Sequence, residues 1–295
     1  MDPTFLPEKP KTLSMRFGLA LRSTVFGAST IAKTIPMLEE SRVDSLWFPS
    51  GGQHFDALDM CGICLGKSHR LRVGTGIVRP AEYGFEQLLA RLHTLSEGSG
   101  RRFILGIGTG PGTGRSAIDG LVEITKRLRA NYPDQQRPPI FFAALRERML
   151  RAAYLNAEGA ILNFCPPDYV RRIASNDVAE GFTLACYIKL FFAREDAVAR
   201  KMLANEVRSY NEMPQYRMMF EEIGVSDSIS RLDSESATNI PDKLLEISSA
   251  NPSDDEVGRL VDRFCRAGVD LPIVYPYVSG DEGYKVSVLE KLAFS

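Results

Sequence analysis

The sequence predicts an α/β protein folded as a (β/α)8 TIM barrel, with an insertion between its seventh and eighth units. Three observations carry this prediction. Eight apolar runs alternate with stretches of helical period. The runs are continuous rather than alternating, which suits parallel strands covered on both faces. The length, 295 residues, is one at which α/β barrels still form a single unit.

The elements follow in order. Strand one is MRFGLAL at 15–21, and STIAKTIPMLEES at 29–41 is its amphipathic helix. Strand two, DSLWFP at 44–49, precedes the helix DALDMCGICLGKS at 56–68. Strand three, LRVGTGIV at 71–78, precedes FEQLLARLHTLSEG at 85–98. Strand four, RFILGIG at 102–108, leads to a helix over 116–129. Strand five is PPIFFAA at 138–144, with helix RERMLRAAYLNA at 146–157, and strand six is GAILNF at 159–164. The longest candidate, GFTLACYIKLFFA at 181–193, is strand seven, and EDAVARKMLANEVRSYNEM follows it as helix. Residues 211–252 break the rhythm and read as an insertion of short helices, a lid or dimer element. Helix DDEVGRLVDRFCRAG at 254–268 then leads to strand eight, LPIVYPY at 271–277. The polar, proline-bearing residues 1–14 read as a flexible tail ahead of a single barrel over 15–295, with Met15 a candidate start.

Composition narrows the function classes. Thirty-six basic and 37 acidic side chains give a formal net charge of −1, which argues against nucleic acid or a membrane surface as partner. No apolar run approaches the roughly 18 residues that span a bilayer. Five cysteines, an odd number, point to a reducing cytoplasm rather than a disulfide framework. Cys61 and Cys64 form a C-x-x-C, but in mid-helix and without a second pair at metal spacing, so they read as helix-packing residues and no metal site is expected.

GIGTGPGTG at 106–114 is the one glycine-rich run. It fits neither G-x-G-x-x-G nor the P-loop, since Pro111 and Thr113 fall where glycines should and no Gly-Lys-Ser/Thr closes it. It lies where strand four stops, and glycine at period two leaves one face of that segment without side chains.

LWFPSGG after strand two, VGTGIVRP after strand three, SEGSGRRFILGIGTG around strand four and PPIFFAALRERMLRAAYLNAEGAILNF together resemble the bacterial-luciferase-like superfamily. The likeness runs from Met15 to about Ile173 and returns at LPIVYP. It is greatest to the branch using the deazaflavin coenzyme F-420, notably methylenetetrahydromethanopterin reductase. The resemblance implies a flavin or deazaflavin ring in the barrel mouth. A non-prolyl cis peptide at Gly76-Ile77 would support its back face, and Gly108, Thr109 and Gly110 would lie beside it. The phosphate would sit on the turn Ala143, Ala144, Leu145 and Arg146, where small residues and a helix N-terminus favour an anion.

The chain departs from the family in two places. Pro111 stands where a carboxylate usually follows the strand-four glycines, and Trp47 to Gly51 lacks the usual histidine. His54 is the candidate substitute proton donor; His69 lies before strand three and His93 in mid-helix. Glu82 and Tyr83 are the remaining polar candidates after strand three, Trp47 is a candidate ring neighbour, and the Met-rich 213–220 is a candidate pocket lining. The expectation is a cytoplasmic oxidoreductase, a homodimer, transferring hydride between F-420 and a small organic, pterin-like substrate. The alternatives are an FMN-dependent luciferase-like monooxygenase and a non-catalytic flavin-binding barrel.

Overall fold

The computed structural model describes residues 16–50, 56–110, 112, 114–132, 136–174, 179–230, 242–246 and 248–294. His54 and Pro111 therefore lie outside the described residues.

The chain opens with β1 (Phe17–Ala20), a one-turn α1 (Ser23–Phe26) and α2 (Ala28–Glu39). Next come β2 (Val43–Phe48), α3 (Ala57–Leu65), β3 (Arg72–Thr75), α4 (Phe85–Glu97), β4 (Phe103–Ile107) and α5 (Gly114–Ala130). Then follow β5 (Ile140–Ala143), α6 (Glu147–Asn156), β6 (Gly159–Asn163), α7 (Pro167–Ile173), β7 (Thr183–Phe192) and α8 (Asp196–Asn211). The expected irregular stretch holds α9 (Pro214–Glu222), α10 (Ser226–Ser230), α11 (Asp242–Leu245) and a short β8 (Ser248–Ala250). The chain closes through α12 (Asp254–Arg266), β9 (Leu271–Val278) and α13 (Glu282–Phe294).

All pairings between strands are parallel, in the ring β1-β2-β3-β4-β5-β6-β7-β9-β1, so eight strands close a barrel as predicted. β8 is the strand that the sequence pattern missed. β6 pairs with β7 only over Thr183 to Tyr187. The same edge of β7 continues past the end of β6, and Ser248 to Ala250 pair there with Lys189 to Phe191. β7 is thus long enough to carry two partners on one edge, which keeps its backbone groups satisfied.

The core follows from the apolar runs. Trp47, Phe103 and Phe142 are buried among the strands and their covering helices, and Leu88 and Leu92 turn the apolar face of α4 inward. Local signals set the helix starts. The Asp56 carboxylate caps α3 by accepting from the Leu58 N–H at 2.8 Å. Ser253 and Glu256 close a capping box on α12, whose acidic first turn and basic last turn complement its dipole. The sequence reading did not mark α7 or α13. Among the described residues no helix is long and apolar enough to cross a membrane, and no group of three His, Cys, Asp or Glu side chains is placed to hold a metal.

Candidate functional site

A cavity of about 1290 Å³ opens at the C-terminal ends of the strands, the face at which barrels of this class place their chemistry. Gly76, Ile77, Gly108, Thr109, Gly110, Ala143, Ala144, Leu145 and Arg146 all line it. Strands β3, β4 and β5 therefore bring the sequence candidates to one wall.

The peptide between Gly76 and Ile77 is cis, as the resemblance implied. The segment is held on both sides: Gly76 N–H donates to Phe48 O at 2.8 Å, Val78 N–H to Gly106 O at 2.8 Å, and Gly108 N–H to Val78 O at 3.1 Å. The Ser50 hydroxyl donates to Ile77 O. The strand-four glycines make this approach possible. A Cβ on Gly106 would lie 2.0 Å from Thr75 O, and one on Gly108 would lie 2.2 Å from Ile77 Cδ1. Their bare face is thus filled largely by the neighbouring segment of β3, and the cavity meets only its end. Gly110, at φ +63°, turns the chain away, and Thr109 Oγ1 donates to Gly112 O at 3.0 Å across the turn.

At the turn after β5 the amides divide. Ala144 N–H donates to Ile161 O at 2.9 Å, so this donor is committed to β6 and not to an anion. The sequence expectation for Ala144 is corrected to that extent. The N–H groups of Leu145 and Arg146 have no acceptor among the described residues, and the first amides of α6 have none within the helix. Arg148 and Arg151 add charge to the same end of the cavity. Arg146 is already engaged: its Nε lies 3.4 Å from Glu222 Oε2 on α9, and Glu222 also meets Arg172 at 3.1 Å. The free amides thus belong to Leu145 and Arg146, within the turn the sequence marked but without Ala144, and free amides at a helix start are an arrangement that suits an oxyanion.

The opposite wall is built from residues that the sequence reading did not select. Tyr187 and Lys189 on β7 and Tyr275 and Tyr277 on β9 point the same way, because each pair is two apart on its strand. Lys189, 1 % exposed, donates to Tyr277 Oη at 2.7 Å, Glu206 Oε1 at 3.1 Å and Tyr210 Oη at 3.3 Å. Its ammonium also lies within 4.9 Å of the ring centroids of Phe164, Tyr210, Tyr275 and Tyr277. Tyr277 donates in turn to Glu206. Burial, first of all, pushes the hydroxyls of Tyr187, Tyr216, Tyr275 and Tyr277 above their ordinary range, so at neutral pH they are uncharged donors. Of this group Tyr187, Glu206, Tyr210, Tyr216 and Tyr275 line the cavity. A signal existed: a lysine in mid-strand inside an apolar run, and tyrosines at period two in the last strand.

The other candidates fall elsewhere. Trp47 is fully buried and donates to Ser45 Oγ at 2.9 Å, packed under Gly74 rather than on the cavity. Glu82 pairs with Arg79 at 2.7 Å, and Tyr83 donates to Asp56 at 2.7 Å; neither lines the cavity. His93 stacks on Tyr132 with ring centroids 4.2 Å apart, and His69 is exposed before β3. Cys61 and Cys64 are buried in α3, as read from the sequence. The Met-rich stretch divides: Met213 and Met218 line the cavity, while Met219 and Phe220 pack into the core.

No family model matches the chain. No curated protein matches it in sequence. Solved structures do match. A coenzyme F-420-dependent secondary alcohol dehydrogenase, in complex with an F-420–acetone adduct, superposes with a TM-score of 0.71 at 13% identity, over 94% of this chain and 98% of that one. The coenzyme F-420-dependent tetrahydromethanopterin reductase of Methanopyrus kandleri gives 0.65 at 14% identity, over 93% and 97%. The oxygenating constituent of 3,6-diketocamphane monooxygenase from Pseudomonas putida, in complex with FMN, gives 0.57 at 13%, over 95% and 96%.

The chain has the barrel fold of these enzymes. This bears out the fold that the likeness to the luciferase-like superfamily implied, along nearly the whole length of both chains.

Proposed function

We propose that the protein is an oxidoreductase that transfers hydride between coenzyme F-420 and a small organic, pterin-like substrate, as a cytoplasmic homodimer. The observation that carries this reading is the pairing, in one cavity, of an oxyanion cradle at α6 with a wall of protonated tyrosines about a buried Lys189–Glu206 pair. Two of the superposing structures are of F-420-dependent enzymes, which supports the cofactor.

The residues present suit such a group. The amides of Leu145 and Arg146, with Arg148 beside them, would hold a phosphate; Gly76, Ile77 and Gly108 to Gly110 would border the ring. When bound, F-420 supplies a two-electron hydride donor or acceptor. The chain itself supplies orientation. Met213 and Met218 on the α9 side add apolar surface to the cavity lining. Tyr210 and Tyr275 present hydroxyls from the opposite wall, and Lys189 fixes Tyr210 from behind. These groups would stand in for the missing carboxylate and histidine.

A second reading, an FMN-dependent monooxygenase on the same barrel, draws support from the superposition on an FMN-bound monooxygenase constituent. Titration of the purified protein with F-420 and with FMN, followed by cofactor fluorescence, tests both. Tight binding of F-420 alone is the expected result. Tight binding of FMN alone would replace the first reading by the second, and binding of neither would sink both.

A further inference from the structure

The tyrosine wall carries one positive charge too many. Arg22, at the end of β1, is half-buried on the cavity and reaches over the Tyr277 ring, 5.6 Å from its centroid. It has no carboxylate at ion-pair distance among the described residues. Behind it Lys189 has taken Glu206, the carboxylate of this group. Two fixed cations therefore face a single anion. Burial alone would lower the Arg22 pKa, yet Tyr275, Tyr277, Glu206 and Tyr210 carry it above its ordinary value, so the guanidinium stays charged in the cavity wall.

A second unmatched group lines the same cavity. Tyr210 Oη accepts from Lys189 at 3.3 Å, and its own hydrogen has no acceptor among the described residues. A phenol carries one donor hydrogen, so this one is free to be given to a ligand in the cavity that Tyr210 lines. An unmatched cation and an unmatched donor on one wall call for the same partner, an anionic acceptor.

The place on the barrel separates this anion from a cofactor phosphate. Arg22 follows β1, whereas the free amides of Leu145 and Arg146 follow β5, four strands away around a closed ring of eight. We propose that the wall formed by Arg22 and Tyr210 binds the carboxylate of an organic acid substrate, with Arg22 pairing to it and Tyr210 donating one hydrogen bond. The rings of Tyr275 and Tyr187, 5.4 Å apart, offer a surface for the apolar body of that acid. The assignment of this acid as substrate rests on the hydride-transfer reading.

Isothermal calorimetry of the cofactor-free protein with benzoate tests the site, with benzamide as the uncharged match. Benzoate is expected to bind and benzamide to bind at least about tenfold more weakly. R22M is expected to weaken benzoate at least about tenfold, R22K less, and Y210F about threefold or more, with circular dichroism confirming each fold. R148A, at the other end, is expected to leave benzoate unchanged. Equal binding of benzamide, or benzoate binding that ignores R22M and Y210F, would overturn the proposal, as would its loss in R148A. The two readings fail separately: if benzoate depends on Arg22 while neither F-420 nor FMN binds, the anion site stands and hydride transfer falls. If F-420 binds while benzoate ignores Arg22, the reverse holds.

Discussion

The Tyr187 hydroxyl donates to the carbonyl oxygen of Gly76 at 3.3 Å, joining β7 to β3 across the barrel. A Cβ on Gly76 would meet that hydroxyl oxygen at 1.6 Å and the ring Cζ at 2.8 Å. Gly76→Ala is therefore expected to destabilise the fold by about 1–3 kcal/mol through overpacking. Tyr187→Phe removes only the nearer atom, so G76A/Y187F is expected to recover part of the loss and not all. Urea midpoints of the four proteins complete the double-mutant cycle. Additive effects in that cycle would refute the contact.

Lys189 and Glu206 are unequal partners in solvent. Lys189 is 1 % exposed, while Glu206 is 14 % exposed and opens on the cavity. Removing the carboxylate strands a charge that water cannot reach, so Glu206→Ala is expected to cost about 3 kcal/mol. Lys189→Met keeps an unbranched side chain among the aromatic rings and leaves a carboxylate that can still be solvated from the cavity. It is expected to cost less. Chemical denaturation of both variants checks the order, and a larger loss in K189M would reverse the argument.

The sequence showed the barrel because burial on both faces makes parallel strands continuous apolar runs. That is why β1 to β7 and β9 were recognisable, down to LPIVYPY. β8 was not, since Ser248 to Ala250 carry no strand pattern of their own; they become a strand because β7 outruns β6 and leaves an edge to pair. The glycine-rich wall and the turn after β5 were legible from small residues in the resembling motifs. The tyrosine wall was not, because its members meet only in the closed barrel: Lys189 bonds Glu206 17 residues on and Tyr277 88 residues on. Nor does sequence tell that the Ala144 amide is committed to Ile161.

Glu222 places a carboxylate against the cradle proposed for phosphate, with Arg146 at 3.4 Å and Arg172 at 3.1 Å. A bound phosphate would feel that like charge and compete for Arg146. Glu222→Gln is expected to tighten cofactor binding by up to about fivefold, as an exposed charge interaction of this kind is worth at most roughly 1 kcal/mol. The gain is expected to shrink in high salt, where exposed charges are screened. Fluorescence titration at two salt concentrations reads it. Weaker binding in the variant would place the anion elsewhere.

The thiols of Cys61, Cys64, Cys165 and Cys186 are buried. Burial pushes Cys64 and Cys165 up to about 12 and Cys61 and Cys186 well above the usual thiol range. Thiolate is the reactive form, so none of these four is expected to react with iodoacetamide in the native protein at pH 8. All five are expected to react in urea. Peptide mass spectrometry of the two samples decides, and native labelling at Cys61 or Cys64 would reopen the C-x-x-C as a redox pair.

Asp56 ties the start of α3 to α4. Its carboxylate caps Leu58, accepts from Tyr83 at 2.7 Å and pairs with Arg91 at 2.5 Å. Burial alone would raise its pKa, but the bonds from Arg91, Tyr83 and the Leu58 amide outweigh that and hold it below the ordinary carboxylate value. A carboxylate with a depressed folded pKa contributes stability that is present above its unfolded value, about 3.9, and is lost as pH falls through the lower folded value. The Asp56 contribution is therefore expected to be constant from pH 7 to about 5 and to fade below about 4. Asp56→Asn keeps a side chain that caps well but loses the charge facing Arg91. The variant is expected to melt below the wild type at pH 7, with the gap closing toward pH 3. A gap that persists at pH 3 would assign the loss to packing rather than to the ion pair.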